Sequence, residues 1–170
     1  LMRAAVGAPG KLRALRADPR VRIVEPDRVV TAFDQTLPTG VNRIDADLSP
    51  TAKIDRVDER VNVDIAVIDT GVQKDHPDLN VAGGYNCTNS NRSAWGDGNG
   101  HGTHVAGTAA AKDNGIGVVG VAPGARLWAV RVLGNNGSGF LSWVICGVDW
   151  VTANATTIEV ANMSLGFEGT

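Results

Sequence analysis

Apolar and polar positions from residue 63 onward follow a pattern of short strands joined by helices. Apolar runs rich in β-branched residues lie near residues 63–68, 81–85, 127–132 and 158–163. Such runs are typical of strands that are buried on both faces of a sheet. Residues 101–112 form a segment of small residues, and residues 139–154 repeat apolar side chains at the 3.6-residue period of a helix. This alternation predicts an α/β fold with a mainly parallel central sheet.

The residues before this region have a different pattern. Residues 11–16 predict a short helix, and the alternation of apolar and polar positions over residues 21–26 predicts a strand. Residues 34–62 are polar and contain several turn-forming residues. For this stretch we expect an arm that wraps over the surface.

Composition limits the classes of function. The chain has 170 residues, 43% of them hydrophobic, which is enough for one globular core. Its formal net charge is −2, and no basic cluster is interleaved with aromatic residues, so we expect no binding to nucleic acid. No apolar run approaches the roughly 20 residues that a transmembrane helix needs, and we expect no membrane partner.

The candidate chemistry lies at Asp69 and His101. Asp69 ends the first apolar run, and His101, between Gly100 and Gly102, begins the segment of small residues. An aspartate after a strand is by itself typical of a turn or a helix cap, and a single histidine is commonly structural. Together they predict a carboxylate that orients an imidazole base, because the carboxyl end of a strand holds such a side chain rigidly.

Four sequence blocks extend this prediction. They are Asp-Thr-Gly at 69–71, Asn-Gly-His-Gly-Thr-His-Val-Ala-Gly-Thr at 99–108, Gly-Val-Ala-Pro at 120–123 and Asn-Met-Ser-Leu-Gly at 162–166. In this order and spacing, the chain resembles the subtilisin family of serine endopeptidases. The resemblance implies a three-layer α/β fold and hydrolysis of protein and peptide substrates by an Asp-His-Ser triad, with Asp69 and His101 as two of its members.

The nucleophilic serine of that triad has no counterpart in the chain. Ser164 lies in Asn-Met-Ser-Leu-Gly, which lacks the first glycine of a Gly-X-Ser-X-Gly elbow. No signal peptide precedes the pattern either. The missing signal peptide and the missing serine predict a chain that is clipped at its front, truncated at its end and inactive as it stands. The resemblance implies that this chain is the amino-terminal portion of a secreted, monomeric endopeptidase precursor. A noncatalytic subtilisin-like binding or regulatory module is the alternative.

By the same resemblance, residues 1–33 are the end of an α+β inhibitory propeptide, and residues 34–170 are the first part of the peptidase domain. Residues 29–33 would lie in the active-site cleft, since an extended apolar segment can pair with a strand edge. Self-cleavage would follow Phe33. An amino-terminal extension without this role is the alternative.

The resemblance also implies a substrate cleft between two segments. Gly137, Ser138 and Gly139 would form one edge, with Leu141 shaping a side-chain pocket, and Ser164, Leu165 and Gly166 would form the other edge. Small residues let a peptide backbone lie against such a loop and pair with it as an added strand. A flexible loop with a helix cap is the simpler interpretation of residues 137–139.

A structural calcium ion is implied in the same way. Its ligands would be the side chains of Gln35, Asp78 and Asn114 and the carbonyl groups of Lys112, Ile116 and Val118. Oxygen ligands of this kind suit calcium. Taken alone, Asp78 is equally a turn residue after Pro77.

One further interpretation stays open at this point, and two others are not favoured. Cys87 and Cys146 are either two buried thiols or, as in secreted proteins, a single bridge. Asp-Thr-Gly also marks aspartic proteases, but these are all-β and need a second such triplet. His101 and His104 lack the spacing and the glutamate of a His-Glu-X-X-His zinc motif, so we expect His104 to pack beneath His101.

Overall fold

The protein forms two compact units, Leu1–Ala32 and Phe33–Thr170, and its computed structural model describes residues 9–24 and 35–166. The first unit contains helix α1 (Pro9–Ala17), which confirms the predicted short helix. The strand predicted over residues 21–26 is wrong for residues 21–24, which are not in a strand. The Val21 N–H donates instead to the carbonyl oxygen of Asp18 in a turn, at 2.9 Å.

The interpretation of the first unit as part of a propeptide stays a prediction. The segment expected to lie in the cleft and the cut expected after Phe33 are outside the described residues.

The second unit alternates strands and helices. Its elements are α2 (Thr39–Arg43), a 3-10 turn (Ala46–Leu48), β1 (Asp64–Asp69), β2 (Asn80–Asn86), α3 (His101–Ala110), β3 (Arg126–Arg131), α4 (Leu141–Ala153) and β4 (Val160–Asn162). All four predicted strands and both predicted helices are present in the described part of this unit. The last strand is shorter than predicted. The arm before β1 does more than cover the surface, because Val41 and Ala52 are buried.

The four strands form one parallel sheet in the order β2-β3-β1-β4. Strand β1 therefore lies between β3 and β4, and all six of its residues are buried. Asp69 at the end of β1 is in register with Arg131 at the end of β3. The carboxyl ends of the strands thus meet at one edge of the sheet, where α/β proteins collect their functional side chains.

Helices cover both faces of this sheet. Ile65 and Val67 of β1 pack in one apolar cluster with α3, whereas Ala66 and Ile68 pack in a second cluster with α4. Successive side chains of a strand point to opposite faces, so β1 contributes to both clusters. The predicted three-layer α/β fold is confirmed.

A disulfide bond joins Cys87, which follows β2, to Cys146 in α4. The S–S distance is 2.11 Å and the Cα–Cα distance is 6.0 Å. Of the two interpretations left open by the sequence, the structure shows the bridge. In the parts of the chain that the structure describes, no helix has the length and apolar character needed to span a bilayer.

Candidate active site

Asp69 and His101 lie together at the carboxyl edge of the sheet. Asp69 is the last residue of β1 and is fully buried, whereas His101 is the first residue of α3 and its side chain is half exposed. His101 Nδ1 lies 2.7 Å from Asp69 Oδ1. A carboxylate can only accept, so Nδ1 carries the ring proton. The Nε2 atom of the neutral ring is therefore left to accept a proton from a substrate or a nucleophile.

The electrostatics of the pair favour a protonated ring. The hydrogen bond from His101 to Asp69 raises the pKa of His101 above its ordinary value, and the negative charge of Asp69 adds to this effect. Asp69 Oδ1 also accepts the Thr70 N–H at 2.6 Å, which fixes the carboxylate against the backbone that follows β1. The arrangement can thus take up a proton at Nε2 and stabilise the resulting imidazolium.

Gly102 allows α3 to approach β1 closely enough for this contact. A Cβ atom at Gly102 would lie 2.1 Å from the Gly71 carbonyl oxygen and 3.2 Å from Asp69 Oδ1. Any larger residue would push the first turn of the helix away from the strand. Gly102 therefore serves to seat the start of α3 against the end of β1.

Sequence reasoning missed Asp97, which lies just before α3. Its carboxylate accepts hydrogen bonds from the N–H groups of Asn99, Gly100 and Thr103 and from the hydroxyl groups of Thr70 and Thr103. Burial alone raises the pKa of Asp97, but the bonds from Gly100, Thr103 and Asn99 outweigh it and lower the pKa to about 2. An acidic residue within one turn of a helix start, with a threonine inside the first turn, is the signal that could have found it.

The two segments expected to form the substrate cleft flank Asp69. The loop after β3 lies on one side of β1 and the segment after β4 on the other, as the strand order requires. Gly137, Ser138, Gly139 and Leu141 are exposed. Gly137 adopts a positive φ of 77°, and its N–H donates to the carbonyl oxygen of Gly134 in a turn. In the other segment Ser164 and Gly166 are exposed, whereas Leu165 is partly buried against the cluster on the α4 side.

The residues expected to bind calcium also come together, around the loop that follows α3. Gln35 Nε2 donates to the carbonyl oxygens of Lys112, at 2.8 Å, and Val118, at 3.4 Å. Asn114 Nδ2 donates to Asp78 Oδ1 at 2.9 Å. Ile116 belongs to the same loop, and its N–H donates to the Asn114 side-chain oxygen.

This donor set fits a hard cation. A flip of the side-chain amides of Gln35 and Asn114 would place their oxygens where the nitrogens now lie. The ligands offered to an ion would then be amide oxygens, backbone carbonyl oxygens and one carboxylate, that of Asp78. Burial raises the pKa of Asp78, partly offset by its bond from Asn114. A nearby positive charge would offset that cost of burial further.

Comparison with known proteins identifies the family of this chain. Residues 60–170 match the profile of the subtilase family. The chain belongs to the subtilase family. It is 45% identical to subtilisin E of Bacillus subtilis over 155 residues, which cover 91% of this chain and 39% of that protein. It is 46% identical to an alkaline protease of Alkalihalobacillus alcalophilus, over 94% of this chain and 40% of that protein.

A third subtilase relative, the subtilisin of Bacillus pumilus, is 53% identical over 105 residues, which are 62% of this chain and 38% of that protein. The chain thus spans about two fifths of the length of the curated relatives that it matches. Subtilases are serine endopeptidases, so the noncatalytic module is not favoured.

Membership in the subtilase family also decides against the two other enzyme classes. The parallel sheet with helices on both faces is not the all-β architecture of aspartic proteases. Within residues 9–24 and 35–166, no three His, Cys, Asp or Glu side chains are grouped to hold a metal ion.

The expected packing of His104 beneath His101 is wrong. Its position in α3 turns the side chain to the exposed face of the helix.

Proposed function

We propose that this chain is the amino-terminal part of a serine endopeptidase that hydrolyses peptide bonds with an Asp-His-Ser triad. The observation that carries the proposal is the hydrogen bond of 2.7 Å between His101 Nδ1 and buried Asp69, in a chain of the subtilase family. The serine would be supplied by the part of the relatives' length that this chain does not match. We call the longer protein that includes this part the complete enzyme.

In the complete enzyme, His101 acts as general base and then as general acid. Its Nε2 atom accepts the proton of the serine hydroxyl as the oxygen attacks the scissile carbonyl carbon. The same atom then gives that proton to the leaving amine. Asp69 keeps the proton of the resting ring on Nδ1 and stabilises the imidazolium between the two transfers.

Substrates are proteins and peptides bound in extended form. A peptide lying between residues 137–139 and 164–166 would cross the carboxyl edge of the sheet next to His101, because these segments flank β1. Exposed glycines leave backbone groups free to pair with it as an added strand. Leu141, 60% exposed at the start of α4, is available to line a side-chain pocket.

The first unit of the chain is proposed to be the end of an inhibitory propeptide. The match to subtilisin E covers 155 of the 170 residues and so includes more than half of residues 1–33. That stretch is therefore similar to a segment of a protease, although the subtilase profile matches only from residue 60. Amino-terminal sequencing of the processed enzyme should begin at Asp34, and a mature enzyme that retains residues 1–33 would refute this part.

A structural calcium ion is proposed at Gln35, Asp78 and Asn114 with the loop carbonyl groups. Calorimetry of the complete enzyme should show one calcium site, and a chelator should lower its melting temperature. The Asp78→Asn variant should lose most of both effects, because it removes the one carboxylate among the ligands. Asp75→Asn, at an exposed position of the preceding loop, is the matched control. Equal binding by the two variants would remove this site from the proposal.

Secretion and a monomeric state complete the proposal. The bridge between Cys87 and Cys146 supports secretion, since disulfides persist in oxidising compartments. The enzyme should appear in the culture medium, and its mass in solution should be that of one chain. Recovery in the cell pellet alone, or a larger mass, would contradict these two statements.

A fluorophosphonate probe tests the catalytic proposal directly, because it reacts with an activated serine. The complete enzyme should be labelled, and the 170-residue chain should not be. His101→Ala should abolish labelling, whereas His104→Ala, on the exposed face of the same helix, should keep it. Absence of labelling in the complete enzyme would refute the proposal and favour a binding or regulatory module.

A further inference from the structure

Asp97 links the two elements that carry the catalytic pair. It is partly buried, and it lies three residues before Gly100, the N-cap residue of α3. Its own N–H donates to the carbonyl oxygen of Val72, just beyond the end of β1, at 3.3 Å. The residue is therefore attached to the strand side of the site through its backbone and to the helix side through its carboxylate.

On the helix side, the carboxylate holds the backbone before and after His101. Asp97 Oδ1 accepts the N–H of Gly100 at 2.9 Å, and Asp97 Oδ2 accepts the N–H of Thr103 at 3.0 Å. The first N–H groups of a helix have no partner within the helix, so they need an acceptor of this kind. Because these contacts bracket His101, they fix the direction in which its side chain leaves the helix.

On the strand side, the carboxylate acts through Thr70, the residue after Asp69. The buried Thr70 hydroxyl donates to Asp97 Oδ1 at 2.9 Å and accepts the Gly102 N–H at 2.9 Å. The backbone at Thr70 in turn donates to Asp69. One carboxylate thus holds the residues next to Asp69 and the residues next to His101 in the same hydrogen-bond network.

We propose that Asp97 is a positioning residue that sets the His101 ring against Asp69 and adds a permanent negative charge to the surroundings of the ring. This inference rests on the proposed serine endopeptidase function. It goes beyond that function by assigning part of the reactivity of His101 to a residue outside the pair of Asp69 and His101.

The charge of Asp97 has its own effect on His101. The charged groups that act on the ring are Asp69 from β1 and Asp97 from the segment before α3. The pKa of His101 is raised first by the hydrogen bond to Asp69 and, in addition, by the charge of Asp97. Removal of Asp97 therefore lowers the pKa of His101 even where the contact with Asp69 survives.

Two substitutions in the complete enzyme separate charge from geometry. Asp97→Asn removes the charge but keeps one oxygen that can accept from Gly100 and Thr70. Asp97→Ala removes the charge and all five contacts. Asp75→Asn is the matched control, because it removes an exposed carboxylate from the loop after β1. Each variant is titrated with the fluorophosphonate probe, so that rates refer to active sites and not to total protein.

Both Asp97 variants should shift the acid side of the pH profile of kcat/KM to lower pH, because both lose the charge. The shift should be at least as large in Asp97→Ala, because that variant also loosens the hydrogen bond of the ring to Asp69. At the pH optimum, kcat should fall about 10-fold in Asp97→Asn and up to roughly 100-fold in Asp97→Ala, with KM nearly constant, because a small displacement of a catalytic group costs rate. Asp75→Asn should match the wild type in both respects.

A role in stability alone would give a different result. The variants would then contain fewer active sites or unfold at lower denaturant concentration, but kcat per titrated site and the pH profile would equal those of the wild type. That outcome overturns the positioning role and leaves the endopeptidase proposal intact. A wild-type complete enzyme that does not react with the probe overturns both.

Discussion

Removal of the disulfide bond should cost the complete enzyme a large part of its stability. Cys87 and Cys146 are 59 residues apart in sequence, and Cys87 is only 5% exposed. In the chain-entropy description, cross-linking a loop of this length lowers the entropy of the unfolded chain and stabilises the fold by about 4 kcal/mol. Net stabilities are about 5–15 kcal/mol, so this loss would be substantial.

The assay is guanidinium unfolding of the oxidised wild type and of the Cys87→Ala, Cys146→Ala double variant. Alanine is preferred to serine, because a buried hydroxyl group at residue 87 would add a desolvation cost of its own. The midpoint should fall in the double variant. The reduced wild type should unfold at nearly the midpoint of the variant, whereas a reducing agent should leave the variant unchanged.

Two results would refute this reasoning. Two titratable thiols in unreduced, denatured wild-type protein would mean that the bond does not form. A difference below about 1 kcal/mol between oxidised wild type and variant would mean that the entropy of the unfolded chain is not what the bond changes.

Three other substitutions test the site and its support. Gly102→Ala should lower stability by about 2–3 kcal/mol in guanidinium unfolding and also lower kcat, since its Cβ would overlap the Gly71 carbonyl oxygen. The acid side of the pH profile of kcat/KM should report the pKa of His101, because the ring must lose its proton to act as a base, and Asp69 raises this pKa above that of an ordinary histidine. Asp69→Asn should lower this pKa and reduce kcat by about four orders of magnitude. Asp113→Ala should cost about 2 kcal/mol in the same unfolding assay, because its buried carboxylate accepts two backbone N–H groups, at 2.6 and 2.7 Å.

The features that the sequence predicts well are those that depend on neighbouring residues. The apolar runs located all four strands in the described part of the second unit, although β1 alone among them is buried along its whole length. Asp69 and His101 could be paired because each lies at the end of an element whose direction the pattern defines. The bounds differ by one or two residues, where the ends of helices and strands depend on local hydrogen bonds.

The features that the sequence does not predict depend on contacts between distant segments. The alternation over residues 21–26 indicates which side chains share a face, but it does not supply a partner strand. Helix α2 is only five residues long and contains a glycine, so it has no periodic pattern to detect. Asp97 becomes important only when folding brings Thr70 beside Thr103. His104 lies one helical turn after His101, and the contact of His101 with Asp69 distinguishes the two residues.

The parallel arrangement of the strands limits how fast this domain can fold. Asp64 at the start of β1 contacts Arg126 of β3, 62 residues away, and its N–H bonds to Glu159, 95 residues away. No pair of strands in the described sheet can form as a hairpin, so each pairing requires a long loop to close before any contact is gained. Folding dominated by such distant contacts is slow. During synthesis on the ribosome, β1 must wait with both edges unpaired until β3, and then β4, has emerged.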